Sequence, residues 1–265
     1  MDAILARSAW RGALTCGLIV LPVRLHRATE EKRVHLREIH APDGGPIRHR
    51  RCCSIDGKDV PTAELGRGYQ LPDGRLVPVT DDDLAHLPIP TRNEAKILGF
   101  VPLSEVDPLT CGTPFYVAPD GSAAQRPYAV LQAALSRAGA AALCRLVIRR
   151  RERVAALYRH RGGALILQLL AHPDEIRDPG DFAPATPVTD REVELAEMLI
   201  RELAGVDRAE LGDRYREALE QVVEAKVAGS AAIEPPPMPE PAGEDLITLL
   251  ERSVRDARTR DAEDE

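Results

Sequence analysis

Hydrophobic and polar positions along this chain change rhythm once, near residue 187, and most of the architecture can be read from that change. Trp10 to Leu25 (WRGALTCGLIVLPVRL) is an apolar run rich in branched residues, broken by Gly17 and Pro22. It predicts two short strands, or one kinked strand entering a barrel. His26 to Arg51 is dense in charge and split by a turn at Pro42-Asp43-Gly44-Gly45, so it predicts an exposed excursion. Further turns at Asp56-Gly57 and Pro72-Asp73-Gly74 separate short strands at Gly68 to Leu71 and Arg75 to Val79. Thr80, with Asp83 three residues on, caps a helix of one or two turns to His86. Ala95 to Val101 and Pro114 to Ala118 predict strands, and Pro127 to Arg137 a helix with proline at its start.

Cys144 to Gly163 (CRLVIRRRERVAALYRHRGG) is the densest cationic stretch. It sets seven arginines against one acid, Glu152, with apolar residues between them. Gly162 and Gly163 then turn the chain into a second apolar run, Ala164 to Leu170. Consecutive strands joined by tight turns follow from this pattern, with arginine gathered on one exposed region.

From Pro187 the period becomes helical. Thr189 and Glu192 form a capping box, and Val193, Ala196, Ile200 and Leu203 make one stripe. Asp213 to Val227 is a second amphipathic helix, with Tyr215, Leu219, Val222 and Val223 on its apolar side. Ile233 to Gly243 (IEPPPMPEPAG) predicts an extended linker. Beyond it, Glu244 to Arg258 carries Leu246, Ile247, Leu250, Val254 and Ala257 at helical spacing, followed by a charged tail, Thr259 to Glu265, expected to be disordered. The apolar face of that last helix can be satisfied by docking back on the body or by a groove on a partner.

Charge is split along the same line. Residues 1–173 hold 24 Lys/Arg against 17 Asp/Glu, and residues 174–265 hold 11 against 25, which gives the overall −7. The acidic total therefore describes the C-terminal part more than the body. A basic body of this kind points to a polyanion. Nine Trp, Tyr and Phe residues are too few for a protein that stacks unpaired bases on aromatic platforms.

Other chemistries find little support. Five cysteines (Cys16, Cys52, Cys53, Cys111, Cys144) form no regular framework, which suits a reducing cytoplasm. Cys52 and Cys53 lie near His40 and His49, but zinc needs a second pair of ligands and none follows, so no metal and no cofactor are expected. Ala13 to Leu21 is too short for a signal core, and no stretch reaches the length of a membrane span. Phosphate-loop, dinucleotide, nucleophile-elbow and zinc-protease motifs are missing. His172-Pro173-Asp174-Glu175 reads as a turn with salt bridges, with a hydrolase using His172 and Asp174 as a remote alternative.

The opening AWRGALTCGLIVLPVRLHRATEE resembles the start of bacterial Ku, the homodimeric DNA end-binding protein of non-homologous end joining. Matches continue in order at Ala41 to Gly45 with Arg48 to Cys52, Gly68-Tyr69 with Leu71 to Arg75, Thr80 to Leu84, Phe100-Val101-Pro102, Arg126 to Ala129 and Pro173 to Arg177. Tyr215 to Leu219 with Glu224-Ala225-Lys226 is similar to the family's helical arm. Asp245-Leu246-Ile247 to Arg258 is similar to its short ligase-recruiting segment.

The resemblance covers essentially the whole chain. It implies a mainly β fold with α: a β-barrel core over 1–186 with an inserted bridge at about 30–95, a helical arm over 187–232, a linker over 233–243, and a terminal helix with acidic tail over 244–265. Two bridges would close a ring in the homodimer, through which a double-stranded DNA end threads. DNA ligase D would be recruited through Leu246, Ile247, Leu250 and Val254. The protein would be a cytoplasmic, nucleoid-associated binder, and no enzyme. Two departures stand out: the acidic end where many members carry a lysine-rich extension, which suggests a minimal form, and Cys53 followed by Asp56 where some members have Cys-x-x-Cys.

A ring that accepts any end cannot read bases, so arginine contacts to phosphate must carry affinity. The candidate phosphate ligands are Arg24, Arg27, Arg37, Arg48, Arg50, Arg67, Arg75, Arg149, Arg151 and Arg153. Roughly half of such a set is expected to be surface or salt-bridged arginines with no DNA contact. The alternative is a dimeric scaffold that binds RNA or protein without end threading.

Overall fold

A computed structural model describes residues 8–32, 34–87, 93–182, 186–206, 208–229 and 245–263. The predicted Pro-rich linker lies outside the described residues. Seven strands close a barrel: β1 (Trp10–Cys16), β2 (Ile19–Arg27), β5 (Glu94–Pro102), β6 (Cys111–Pro119), β7 (Ala140–Ile148), β8 (Arg151–Arg159) and β9 (Leu165–Leu170). Their order around the barrel is β1-β2-β6-β9-β8-β7-β5, and a parallel β5–β1 pairing completes the circle. All other neighbours are antiparallel.

Period-two alternation sets what each strand turns inward. On β2, Leu21, Val23 and Leu25 are buried, and on β8 Ala155 and Leu157 join Cys144 and Leu146 of β7 and Leu165 and Leu167 of β9. Burying each such large side chain contributes about 1.5–3 kcal/mol. Trp10 fastens β1 across the sheet, its indole Nε1 donating to the Val147 carbonyl at 2.9 Å. Gly12 beside it has no room for a side chain, because a Cβ would lie 2.3 Å from the Asn93 carbonyl oxygen and 2.4 Å from the Trp10 ring.

The two barrel ends differ. A helix, α2 (Ser122–Ala138), packs Ala124, Tyr128, Leu131 and Leu135 against the core at the end where β8 runs into β9. Tyr128 there accepts a hydrogen bond from the Leu165 amide at 3.0 Å. At the opposite end β7 turns into β8.

Proline misled the sequence reading twice. Pro22 does not break β2, which runs through it paired to Ala13. Its carbonyl accepts from the Asp120 amide at 2.9 Å, just past the last β2–β6 ladder pair, Val23–Pro119, so its ring removes one donor at the ladder's end. Helix α2 begins at Ser122, and Pro127 lies inside it, not at its start. Packing of the four residues named above outweighs the one hydrogen bond forgone.

Between β2 and β5 the chain leaves the barrel. The described part of this excursion holds isolated bridges at Ile39–Pro46 and Cys52–Asp59, the hairpin of β3 (Gly68–Gln70) and β4 (Leu76–Pro78), and α1 (Asp81–Ala85). Thr80 and Asp83 cap α1 reciprocally, as expected, and their bonds hold the Asp83 carboxyl below its ordinary value. Ile39, Ile55, Tyr69 and Leu76 are exposed there.

A second unit begins at Pro179. It contains α3 (Asp190–Glu202), α4 (Arg214–Val227) and α5 (Leu246–Glu263). The Thr189–Glu192 capping box is present. The predicted α3 stripe is not the buried one: Val193, Ile200 and Leu203 are exposed and Leu195 is 3% exposed. The reason is α5, which packs on α3 through Val254 and Ala257. Arg191–Glu251 (3.4 Å) and Glu202–Arg258 (2.8 Å) flank the contact, so the two helices run parallel. Residues 259–263, expected to be disordered, continue α5. Helix α4 has its Asp213 cap but buries no residue, and Tyr215 and Val223 are exposed. Among the described residues no helix is long and apolar enough to cross a membrane.

Candidate nucleic-acid interface

Strand parity accounts for the barrel's open end. Arg151 and Arg153 share the inward parity of Ala155 and Leu157 on β8, and Arg27 extends that of Val23 and Leu25 on β2. Where the core runs out, these positions form the rim. Arg27, Arg149, Arg151 and Arg153 line a cleft of about 190 Å³ with Thr113, Phe115, Ile148 and Leu169. Apolar barrel residues and four arginines thus share its lining.

The β7–β8 turn that supplies Arg149 is unusual. Ile148 pairs with Arg151, leaving a two-residue loop in which Arg149 (φ 53°) and Arg150 (φ 64°) are both left-handed. Such loops match the twist of their strands but favour Asn-Gly, because a Cβ is strained at positive φ. Two arginines hold this conformation, and they take different partners. Arg149 lines the cleft, whereas Arg150 reaches Asp81 at the start of α1 at 3.5 Å. Replacing the pair by Asn-Gly is therefore expected to stabilise the fold by about 1–2 kcal/mol, raising Tm by a few degrees, while it removes both cations. A thermal melt checks this; a lower Tm would mean that the turn carries no strain.

Carboxylates sort the ten candidate arginines. Asp120 is shared by Arg11 (2.6 Å) and Arg24 (3.2 Å), which face each other across β1 and β2. Asp81 is shared by Arg67 and Arg150, and the Arg67 hydrogen bond, followed by its charge, holds that carboxyl below its ordinary value. Glu175 is shared by Arg151 and Arg153 (3.6 Å). The His172 amide bond, then the two arginines, lowers the Glu175 carboxyl. Arg50 pairs with Asp59 (3.2 Å) and Arg75 with Asp73 in its own turn (2.7 Å). Among the described residues Arg27, Arg37, Arg48 and Arg149 have no carboxylate partner, and all four are exposed.

The candidates thus divide. Four converge on the mouth, while Arg24, Arg37, Arg48, Arg50, Arg67 and Arg75 do not line it. Three two-arginine, one-acid groups each leave a positive surplus on a fixed carboxylate. Sequence reasoning did not nominate Arg11, Arg150 or Thr113, nor the three shared acids. The alternation Arg151, Arg153, Ala155, Leu157 was the available signal for the mouth. His172 to Glu175 forms the expected turn, a short helical turn whose acid is an ion-pair partner. Cys144 is buried, and burial pushes its thiol up to about 12. Among the described residues no group of three or more His, Cys, Asp or Glu could hold a metal ion.

On the terminal helix, Leu246 is 53% exposed, Ile247 and Leu250 are half-buried, and Val254 lies in the α3 contact.

A closed barrel plugged by a helix at one end, walled by arginine at the other and interrupted by a long excursion defines the class: a β-barrel protein with an anion-receptive rim. The Ku70/Ku80 beta-barrel domain matches residues 15–195. A protein from Streptomyces griseus named non-homologous end joining protein Ku is 43% identical over 258 residues, covering 96% of this chain and 65% of its own length. Like-named proteins from Frankia casuarinae (41%; 95% of this chain, 64% of theirs) and Streptomyces avermitilis (37%; 95% and 80%) also match. The chain belongs to the Ku family. It spans about two-thirds of the length of the first two relatives.

Proposed function

We propose that this protein binds double-stranded DNA ends without sequence preference, as a homodimeric ring, in non-homologous end joining. The observation that carries this is the set of arginines converging on one barrel end, backed by further arginine pairs that each share a single acid. Guanidinium forks suit phosphate oxygens and carry no base information when they contact only the backbone. The relatives' names support the pathway. In this reading the excursion between β2 and β5 is the bridge that closes the ring, and α3 and α4 form the arm, whose exposed Val193, Ile200, Tyr215 and Val223 a second copy would cover. Helix α5 offers Leu246 with Ile247 and Leu250 to DNA ligase D. The protein acts by binding and performs no chemistry itself.

The test is competition for linear duplex at rising salt. Affinity is expected to fall by orders of magnitude between about 50 and 200 mM salt, and duplex should outcompete an RNA of equal length. Preference for the RNA would favour the scaffold reading, and salt-insensitive binding would defeat phosphate contact altogether.

A further inference from the structure

We infer that the cleft at the barrel mouth is a discrete pocket for a phosphomonoester dianion, set within the arginine surface that meets duplex phosphates. The inference deepens the DNA-end reading and rests on it where the natural source is concerned.

Shape is the first argument. The cleft is small, about 190 Å³, which gives room for a phosphoryl group. Charge is the second. Among the described residues the four arginines that line the cleft have one carboxylate partner between them, Glu175, which leaves a surplus of three positive charges on its lining. A backbone phosphodiester brings one negative charge, whereas a phosphomonoester brings nearly two above a second pKa of about 6. The surplus is therefore matched better by a monoester. Fixed geometry is the third. Glu175 holds Arg151 and Arg153 in place, and its own position is set by the His172 amide at 2.9 Å. Arg27 and Arg149, which have no carboxylate partner among the described residues, remain free to close on the ligand, and Thr113 supplies a hydroxyl at the same wall. The left-handed turn adds a fourth point: strained backbone persists where the surrounding structure enforces it, and here it delivers Arg149 to the cleft.

Two sources share this chemistry, the terminal phosphate of a DNA end and free phosphate. The experiment uses the full chain. Inorganic phosphate is titrated into the unaltered protein by ³¹P NMR and calorimetry at about pH 5.5 and 7.5, then into Arg27→Gln and Arg149→Gln, each checked by thermal melt. Saturable binding is expected, several-fold tighter at the higher pH, and at least tenfold weaker in either variant. Blunt duplexes identical but for a 5′-phosphate or 5′-hydroxyl are then compared on the unaltered protein. A several-fold preference for the phosphorylated end, erased by inorganic phosphate, assigns the terminal phosphate as the source. Phosphate binding with equal duplex affinities assigns free phosphate. Absence of saturable phosphate binding, or binding indifferent to both variants, overturns the pocket. If the hydroxyl-ended duplex still binds in that case, the DNA-end reading survives; if neither duplex binds, that reading fails on its own account.

Discussion

Replacing Arg149, Arg151 and Arg153 together by alanine is expected to weaken binding of duplexes of every sequence alike, on the order of a hundredfold or more. The three residues lie on one turn and one strand face and line the same cleft, so the substitution clears most of its guanidinium wall. Each lost phosphate contact should make the salt dependence shallower by about one, so the slope of log affinity against log salt should drop by about three. Glu175 loses both its arginines, but it sits at the surface, where such pairs add little stability. The fold should therefore survive, which a thermal melt checks. Loss confined to one sequence would mean base readout and contradict the mechanism. An unchanged slope would mean that these arginines face no phosphate.

The second large effect concerns α5, which has two different faces. Val254 and Ala257 are buried in the parallel contact with α3, whereas Leu246 is exposed. A carboxylate at Val254 would be buried in the α3 contact, a cost on the order of 3 kcal/mol or more. Val254→Asp should detach α5, and a helix of 18 residues left alone is only marginally stable in water. Tryptic cleavage at Arg255 and Arg258 should then accelerate by an order of magnitude or more, since the Arg258–Glu202 pair goes with the contact. If α5 recruits DNA ligase D as proposed, Leu246→Asp with Leu250→Asp should abolish that recruitment in a pull-down and leave the proposed DNA-end binding intact. If recruitment survives the double substitution, α5 serves only its own arm. If Val254→Asp leaves the cleavage rate unchanged, the α3–α5 contact contributes little.

Those faces show where sequence reading stopped. Hairpins were legible where turn chemistry is local: Asp73-Gly74 and Gly162-Gly163 fall at the β3–β4 and β8–β9 turns, and Gly17, one of the two breaks offered, is the one between β1 and β2. Caps at Thr80 and Thr189 were equally local. Helix α3 carries two overlapping apolar stripes, however. Choosing Leu195 over Val193 and Ile200 required knowing that α5 packs back from 56 to 60 residues downstream. Proline showed a similar limit, since the cost of Pro22 depends on its place at the end of the β2–β6 ladder and that of Pro127 on the packing that offsets one lost helical hydrogen bond. At the candidate site, the inward parity of Arg27, Arg151 and Arg153 could be read from each strand. That β2 and β8 reach the same barrel end could not, because closure depends on the order of all seven strands. Nor could sequence tell which arginines own an acid, as Asp120, Asp81 and Glu175 all come from other elements than most of their partners. The Arg149–Arg150 turn gave no signal, since local preference argues for Asn-Gly there.

Encirclement is the claim on which the proposed function depends, and topology tests it most directly. Binding is measured by gel shift and by calorimetry at one salt concentration, using a linear duplex and a covalently closed circle of the same sequence and length. Phosphate contacts alone would treat the two alike, because both offer the same backbone. Threading requires an end, so the account predicts strong binding to the linear form, weak binding to the circle, and recovery of full affinity once the circle is cut by a restriction enzyme. Equal affinity for the closed circle and the linear duplex would contradict it.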